Sequence, residues 1–232
     1  MYKKYIRPIL FKGDPERVHN LSILIGRILA FSKISRILRN NLVVNDKMLK
    51  NKVMGIEFDN PIGLAAGFDK NAYLIDFMPD IGFGFMEVGS ITANPCGGNA
   101  KPRLHRLVKD QGIIVNYGLA NEGSVKIHER LKGKKFRIPV GISIAKTNNP
   151  NIKGEESVND YLKCFKIIRD IGNYITINIS CPNVGDGRSF EDCVLLESLL
   201  NKIDKIRKKE NILLKISPDI NKNNLNKIIK LA

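Results

Sequence analysis

Cysteine and histidine are scarce in this sequence of 232 residues, and their spacing matches no metal-binding pattern. The four cysteines form no C-x-x-C pair and have no histidine near them; they are Cys96, Cys164, Cys181 and Cys193. This spacing argues against a zinc site, and it favours a reduced, cytosolic chain that holds no metal ion.

Long apolar runs are also missing from the sequence. No uninterrupted run approaches the ~18 residues that a transmembrane helix requires. The N-terminus lacks the features of a signal peptide, because Asp14 and Glu16 interrupt it and no small-residue cleavage signal follows. Neither a membrane-spanning helix nor a secretory leader is therefore predicted.

Acidic side chains are few, since 23 Asp and Glu stand against 38 Lys and Arg, for a net charge of +15. Such a charge fits an anionic partner such as nucleic acid, an acidic membrane surface or a phosphorylated ligand. The lysines are scattered and do not alternate with aromatic residues, so most of the charge is expected on solvated faces. No RNA-binding motif is present, and no nucleic-acid partner is expected.

The N-terminal segment predicts two short helices, one over Lys3–Phe11 and one that begins after the N-cap Asp14. Val18, Leu21 and Ile25 continue the second at helical spacing, within a wide apolar face that lysines and arginines flank. Such a face suits a helix in a membrane interface and equally a helix packed on the main domain, so both remain open. Residues 40–52 are typical of a polar linker.

Strands and helices alternate along the rest of the chain, which has the 43% hydrophobic content of an ordinary globular domain. The predicted strands are Ile62–Ala66, Phe85–Ile91, Val140–Ala145, Tyr174–Ser180 and Ile212–Ile216. The predicted helices are Lys70–Pro79, Asn121–Leu131, Val158–Ile171, Leu195–Lys208 and one from Asn221, with a hairpin around Arg103–Leu107. Short, apolar strands alternating with helices indicate a parallel α/β fold whose sheet is covered on both faces.

Polar side chains collect at the predicted carboxyl ends of these strands. They are Lys70, Ser90, Asn116, Ser143, Lys146, Asn178, Cys181, Asn183 and Lys215. Cys181 precedes Pro182, which cannot continue a central strand, and it lies between two carboxamides. Each residue alone has an ordinary structural explanation, but substrates bind at this end of parallel sheets and barrels. The set as a whole therefore predicts an active site.

Five stretches carry a family resemblance: YIRPILFKGDPERVHNL (5–21), NPIGLAAGFDK (60–70), KPRLHRL (101–107), NISCPN (178–183) and LKISP (214–218). They occur in order along nearly the whole chain, which resembles the dihydroorotate dehydrogenases. The N-terminal segment is similar to that of the class 2, quinone-dependent and membrane-associated branch. The resemblance implies a (β/α)8 TIM-barrel type of fold that binds FMN over residues 41–232. Residues 1–40 would form a helical segment associated with the membrane and with quinone.

The resemblance also implies an activity and a place in the cell. The enzyme would oxidise dihydroorotate to orotate in pyrimidine biosynthesis and pass electrons to FMN and then to a membrane quinone. It would lie peripherally at the cytoplasmic face of the cell membrane. Electrons would reach the quinone between the N-terminal helices, whose apolar face would dip into the bilayer.

Residue roles follow from the matched motifs. FMN would contact Ala66, Gly67, Lys70, Ser90, Ser143, Asn178 and Lys215. Dihydroorotate would contact Lys70, Asn116, Tyr117, Gly118, Leu119, Asn178 and Asn183. Cys181 would remove the C5 proton while the C6 hydride leaves for the flavin, and a nearby positive charge should favour its thiolate. Lys70 and Lys215 would stabilise the negative charge that develops.

Some features depart from the class 2 pattern. Cys181 stands where that branch has serine and the soluble class 1 enzymes have cysteine. Val115 and Ser143 replace asparagines that contact substrate and flavin. The family continues through three further strands and a phosphate-binding loop beyond the position of Ala232, so a C-terminal truncation is expected. A class 1-like soluble enzyme and an inactive truncated fragment remain alternatives.

Overall fold

The computed structural model describes residues 2–180, 190 and 193–232. Its strands are β1 (Asn51–Val53), β2 (Ile56–Phe58), β3 (Gly63–Leu64), β4 (Phe85–Ile91), β5 (Leu104–Leu107), β6 (Gly112–Val115), β7 (Val140–Ile144), β8 (Tyr174–Asn178) and β9 (Ile212–Lys215). Its α-helices are α1 (Arg7–Leu10), α2 (Pro15–Leu29), α3 (Lys33–Leu42), α4 (Ser124–Leu131), α5 (Glu155–Ile168), α6 (Cys193–Asp204) and α7 (Lys222–Leu231). A π-helical turn covers Tyr2–Ile6, and 3-10 turns cover Lys47–Leu49 and Met78–Ile81.

The main sheet contains five parallel strands in the order β3-β4-β7-β8-β9. Every residue of β7 and β8 is buried, as expected for central strands of a parallel sheet that is covered on both faces, and isoleucine is their commonest residue. The side chains of Ile142, Ile144, Ile175 and Ile177 form the centre of the core. Full burial of each contributes about 1.5–3 kcal/mol. The predicted parallel α/β fold is confirmed.

Helix α5 shows how a covering helix is built. It begins with Glu155 and Glu156, whose charges favour the positive end of the helix dipole. It buries Val158, Tyr161 and Phe165, which recur every three to four residues and so share one face. The helix therefore covers the sheet with an apolar stripe and turns its charged side to solvent.

The predicted helix Lys70–Pro79 is wrong, because turns and the 3-10 turn Met78–Ile81 occupy this segment. The carboxylate of Asp69 accepts hydrogen bonds from the backbone N–H groups of Tyr73 (2.9 Å) and Leu74 (2.7 Å). Ala72 has a positive φ of 57°, which an α-helix excludes. A buried carboxylate thus replaces helical hydrogen bonds, and local spacing cannot reveal this.

The N-terminal segment contains three α-helices where two were predicted. The chain turns between α2 and α3, where Ser32 is extended and its hydroxyl donates to the Leu29 carbonyl at 2.8 Å. The predicted linker over residues 40–52 is only partly correct, because α3 continues to Leu42 and β1 begins at Asn51. The predicted hairpin is confirmed by β5 and β6, which pair in antiparallel register.

Helix α3 is anchored to the main part of the molecule by Asp80, which is buried in the 3-10 turn Met78–Ile81. Its carboxylate accepts hydrogen bonds from Arg39 Nε (2.6 Å), from Arg137 Nη1 (2.7 Å) and from the hydroxyl of Ser35. Ser35 and Arg39 lie on α3, and Arg137 lies just before β7. One carboxylate therefore connects the N-terminal helices to the sheet.

Candidate active site

Hydroxyl and amide groups form a row across the carboxyl ends of β4, β7 and β8. Ser90 Oγ lies 2.8 Å from Ser143 Oγ, and Asn178 Nδ2 donates to Ser90 Oγ at 2.8 Å. All three residues are buried, and the hydroxyl of Tyr161 donates to the Asn178 carbonyl at 2.7 Å. Adjacent parallel strands bring these residues to one edge of the sheet, so three predicted cofactor contacts lie together in a fixed arrangement.

The backbone beside this row is open on one side and tightly packed on the other. Gly67 N–H donates to the Gly89 carbonyl at 2.8 Å, and a Cβ on Gly67 would meet no atom within 4 Å. Gly89 has a positive φ of 105°, and a Cβ there would lie 2.5 Å from the Ser143 carbonyl oxygen. Only glycine fits at position 89, whereas Gly67 leaves room for a flat group to approach the backbone.

A cavity of about 540 Å³ extends from these strand ends to the N-terminal helices. The residues of its wall that carry a predicted cofactor or substrate role are Ala66, Gly67, Lys70, Ser90, Tyr117, Gly118, Leu119, Asn178 and Lys215. The opposite wall includes Leu10 and Phe11, one face of α2, and the inner face of the β5–β6 hairpin. The cavity therefore joins a polar end at the sheet to an apolar end at the helices.

Lys70 contributes its side chain to the wall of this cavity. Its Nζ donates to the Gly67 carbonyl at 2.6 Å and lies 3.9 Å from the centroid of the Tyr117 ring. Burial, together with the positive charge of Arg103, lowers the pKa of Lys70 to about 8. The ammonium is still mainly protonated at neutral pH, but it titrates close to the physiological range.

Lys215 ends β9 and lies opposite Asn178 in the register of the sheet. It is exposed but contributes to the cavity wall. Lys70 and Lys215 thus provide two ammonium groups to one cavity, from β9 and from the loop after β3.

A second cavity, of about 530 Å³ and more polar, lies beside the first. His19, Phe68, Lys70 and Tyr117 contribute to the walls of both cavities. The His19 ring packs edge-on against Phe68 with 4.8 Å between centroids. Burial and the charge of Lys70 lower the pKa of His19, which is therefore neutral at physiological pH.

The remaining predicted residues are placed differently. Asn116 does not contribute to the wall of the first cavity; its Oδ1 accepts a hydrogen bond from Asn99 Nδ2 at 2.7 Å. Lys146 is buried and donates to the Ile152 carbonyl at 2.9 Å. Cys181 and Asn183 lie outside the described residues, and their roles stay predictions.

Sequence reasoning missed four residues around the cavities: Glu16, His19, Arg103 and Arg106. Two had a detectable signal. His19 shares one helical face with Pro15, Val18 and Ser22, and Arg106 follows Leu104 by two residues along a strand, so both point to the cavity. Glu16 and Arg103 meet each other across the fold, which spacing cannot reveal.

Within the described segments, no group of three or more His, Cys, Asp or Glu side chains is arranged to hold a metal ion. None of the helices in this part of the chain has the length and apolarity needed to cross a bilayer.

A family model described as dihydroorotate dehydrogenase matches residues 48–232. The chain belongs to the dihydroorotate dehydrogenase family. It is 40% identical to the dihydroorotate dehydrogenase (quinone) of Christiangramia forsetii, over 100% of this chain and 69% of that protein. It is 39% identical to that of Buchnera aphidicola, over 97% of this chain and 68% of that protein. With that of Synechococcus sp. the identity is 34%, over 100% of this chain and 63% of the relative. The chain thus spans about two thirds of the length of these curated relatives.

Solved dihydroorotate dehydrogenase structures share the fold. The ligand-free DHODH of Eimeria tenella superposes with a TM-score of 0.79 at 26% identity, over 94% of this chain and 66% of that one. The same enzyme in complex with ferulenol gives a TM-score of 0.80 at 27% identity, over 94% and 63%. The predicted (β/α)-barrel type of fold is confirmed by this likeness.

Proposed function

We propose that this chain oxidises dihydroorotate to orotate in pyrimidine biosynthesis, with FMN as first electron acceptor and a membrane quinone as second. The cavity of about 540 Å³ is the observation that carries the proposal, since its polar end holds the family-matched residues and its apolar end reaches the N-terminal helices. The relatives named dihydroorotate dehydrogenase (quinone) support the same reaction and acceptor.

The strand ends fit a flat, hydrogen-bonding ring such as the flavin of FMN. The row of Ser90, Ser143 and Asn178 supplies hydroxyl and amide groups, and Gly67 leaves open space above the backbone. Lys70 and Lys215 add positive charge beside that space. FMN, when bound, supplies the two-electron acceptance that no amino-acid side chain provides.

Dihydroorotate carries a carboxylate, for which the Lys70 ammonium is a suitable partner. The pKa of Lys70, about 8, keeps this group charged at neutral pH while burial strengthens its interaction with an anion. Gly118 and Leu119, both with positive φ, line the same cavity from the loop after β6. Asn178 provides an amide at the same edge of the sheet.

Cys181 is the residue proposed as the base that removes the C5 proton, as the sequence predicts. As the thiolate it accepts the C5 proton of dihydroorotate, and it is then a neutral thiol that must lose this proton before the next cycle. Lys70 opposes the negative charge that builds up on the product ring, so it assists the proton transfer as well as binding.

The apolar end of the cavity fits the quinone, and its surroundings suit a membrane surface. Leu10, Phe11 and Val18 line it from the helices. Outside the cavity, Ile28 of α2 is 63% exposed and Phe31 is 83% exposed. An apolar surface bordered by lysines and arginines is typical of proteins that lie in an anionic membrane interface. We infer peripheral binding at the cytoplasmic face of the cell membrane.

An anaerobic spectroscopic titration tests the proposal. The 232-residue chain is incubated with FMN, freed of excess flavin and mixed with dihydroorotate. We expect the flavin absorbance to bleach, one orotate to form per flavin, and a short-chain ubiquinone to restore the colour.

The matched variants are Lys70→Met and Lys163→Met, since Lys163 is an exposed lysine that bonds only to Asn94 in the described structure. Dihydroorotate should no longer bleach the flavin absorbance of Lys70→Met, whereas it should still bleach that of Lys163→Met. Bound flavin that dihydroorotate leaves fully oxidised would refute the proposed activity, and reoxidation by a soluble acceptor in place of quinone would favour the class 1-like alternative.

A further inference from the structure

A buried ion pair joins α2 to the chain just before β5, at the edge of the candidate active site. Arg103 Nη2 donates to Glu16 Oε1 at 2.8 Å, and Arg103 Nε lies 3.2 Å from Glu16 Oε2. The other end of the guanidinium donates to the carbonyls of Gly97 (2.8 Å) and Asn99 (3.1 Å). Both side chains are buried, so the pair has one fixed geometry and is weakly screened.

The ring of Tyr117 connects this pair to Lys70. The Arg103 guanidinium carbon lies 4.6 Å from the ring centroid, and Lys70 Nζ lies 3.9 Å from it. Both cations contact one aromatic ring, which is an attractive arrangement for each but brings two like charges near one another. On the described N-terminal helices, only Glu16 is paired with Arg103. The same carboxylate also lies 3.3 Å from the Nζ of Lys101, whose side chain is exposed.

We propose that Glu16 is a positioning residue for Lys70: by pairing with Arg103 beside the shared Tyr117 ring, it allows the Lys70 ammonium to hold the substrate carboxylate. This inference rests on the proposed function and extends it, because it gives the N-terminal helices a part in dihydroorotate binding as well as in quinone access. Glu16 itself is not proposed to contact the substrate.

The charges around Lys70 explain the direction of the effect. Burial and the charge of Arg103 favour the neutral amine, whereas Glu16 and Asp69 favour the ammonium. His19 is neutral at physiological pH because burial and Lys70 lower its pKa, and burial raises the pKa of Tyr117 to about 12, so neither carries charge there. Lys215 lines the same cavity and adds positive charge. If Glu16 loses its charge, the positive charges of Arg103 and of the exposed Lys101 are no longer compensated, and Lys70 gives up its proton at lower pH.

The test measures orotate binding by equilibrium dialysis of the FMN-loaded chain from neutral to alkaline pH. In the unaltered chain, binding should weaken as Lys70 deprotonates. Glu16→Gln should move this midpoint to lower pH by about one unit, since Coulomb interactions between buried charges have this size. The matched control is Glu122→Gln, which removes another carboxylate from the same polar cavity but one paired with Arg130 and Lys126. Its midpoint should not move.

A double variant separates positioning from simple loss of structure. Arg103→Met alone should raise the midpoint, and Arg103→Met combined with Glu16→Gln should return it close to that of the unaltered chain. Loss of structure predicts weaker binding at every pH, an unmoved midpoint and no restoration. An unmoved midpoint in Glu16→Gln, or an equal shift in Glu122→Gln, would overturn the inference while leaving the proposed function intact. Absence of orotate binding in the unaltered chain would instead remove the proposed function itself.

Discussion

Lys70 is the residue at which the helical segment, the hairpin and the strand ends influence one another. Its Nζ bonds to Gly67 of its own loop, its charge contacts Tyr117 beyond the hairpin, and its proton affinity depends on Arg103. A lysine that titrates near pH 8 can hold an anion at neutral pH and release it as conditions become alkaline. The same residue in water would stay charged up to about pH 10.

Cys181 provides the residue-scale prediction. Cys181→Ala should lower the rate of flavin reduction by dihydroorotate by about 10²–10⁴-fold, because a positioned base contributes about that much. Cys181→Ser should keep part of the activity but lose the increase in rate toward the thiol pKa of ~8.5. Anaerobic stopped-flow absorbance across a pH series measures both effects.

Cys193→Ala is the matched control, since this half-buried thiol begins α6 and lines neither of the two cavities. Its rate should equal that of the unaltered chain. An unchanged rate in Cys181→Ala would exclude Cys181 as the base.

At the scale of elements, the N-terminal helices are held by two buried carboxylates rather than by apolar packing alone. Glu16 ties α2 to Arg103, and Asp80 ties α3 to Arg137 through Arg39 and Ser35. Many large apolar side chains of α2 and α3 remain exposed. The helices are therefore docked by a few directional contacts, and they leave an apolar surface free on the outside.

The hydrogen bonds to Asp80 should make the free energy of unfolding depend on pH in the acid range. Burial alone would raise the pKa of Asp80, but hydrogen bonds from Arg137, Arg39 and Ser35 outweigh it and lower this pKa to about 2. A lowered folded-state pKa stabilises above the unfolded value of ~3.9. This contribution, about 1–2 kcal/mol once the exposure of the arginines is allowed for, should be lost as pH falls from about 4 to 2.

Asp80→Asn should therefore lower the free energy of unfolding near neutral pH by about 2 kcal/mol and flatten its acid dependence. Urea unfolding at several pH values measures this. Asp76→Asn is the control, because Asp76 pairs with Lys134 at the surface, where loss of a salt bridge costs about 0–1 kcal/mol. Equal losses in both variants would mean that Asp80 is not an anchor.

At the scale of the whole molecule, a net charge of +15 combines with an apolar surface on one side. Charge attracts the chain to an anionic bilayer from a distance, and the exposed side chains of α2 and the turn after it supply the apolar contact. The two contributions respond differently to salt, because only the electrostatic one is screened.

Liposome flotation should separate these contributions. The double variant Ile28→Ser, Phe31→Ser should reduce the fraction bound to anionic vesicles by about tenfold, since two exposed apolar side chains that would enter the membrane interface are lost. Ile229→Ser on α7 is the matched control, with 62% exposure against 63% for Ile28. Raising the salt concentration should weaken binding of all three proteins. Equal flotation of both variants would refute a membrane-facing role for α2.

The sequence alone determined the core and the order of the site. The isoleucines of β7 and β8 indicate buried parallel strands. Short motifs place Gly67 and Lys70, Asn178, and Lys215 at the carboxyl ends of three predicted strands. These are local patterns, and the local period of a strand or helix is enough to interpret them. The family resemblance rests on the same motifs, and the matching family model confirms it.

Only the tertiary structure decided which distant groups meet. The turn-rich segment after Lys70 follows from the burial of Asp69, and Glu16 reaches Arg103 across 87 positions of sequence. Asp80 likewise pairs with Arg39, which precedes it in the sequence, and with Arg137, which follows it. Such pairs form because packing brings two chain segments to the same place and a buried charge must be compensated there. The sequence pattern around one member of such a pair does not indicate the other member. The docking of the N-terminal helices and the lowered pKa of Lys70 therefore follow only from the folded structure.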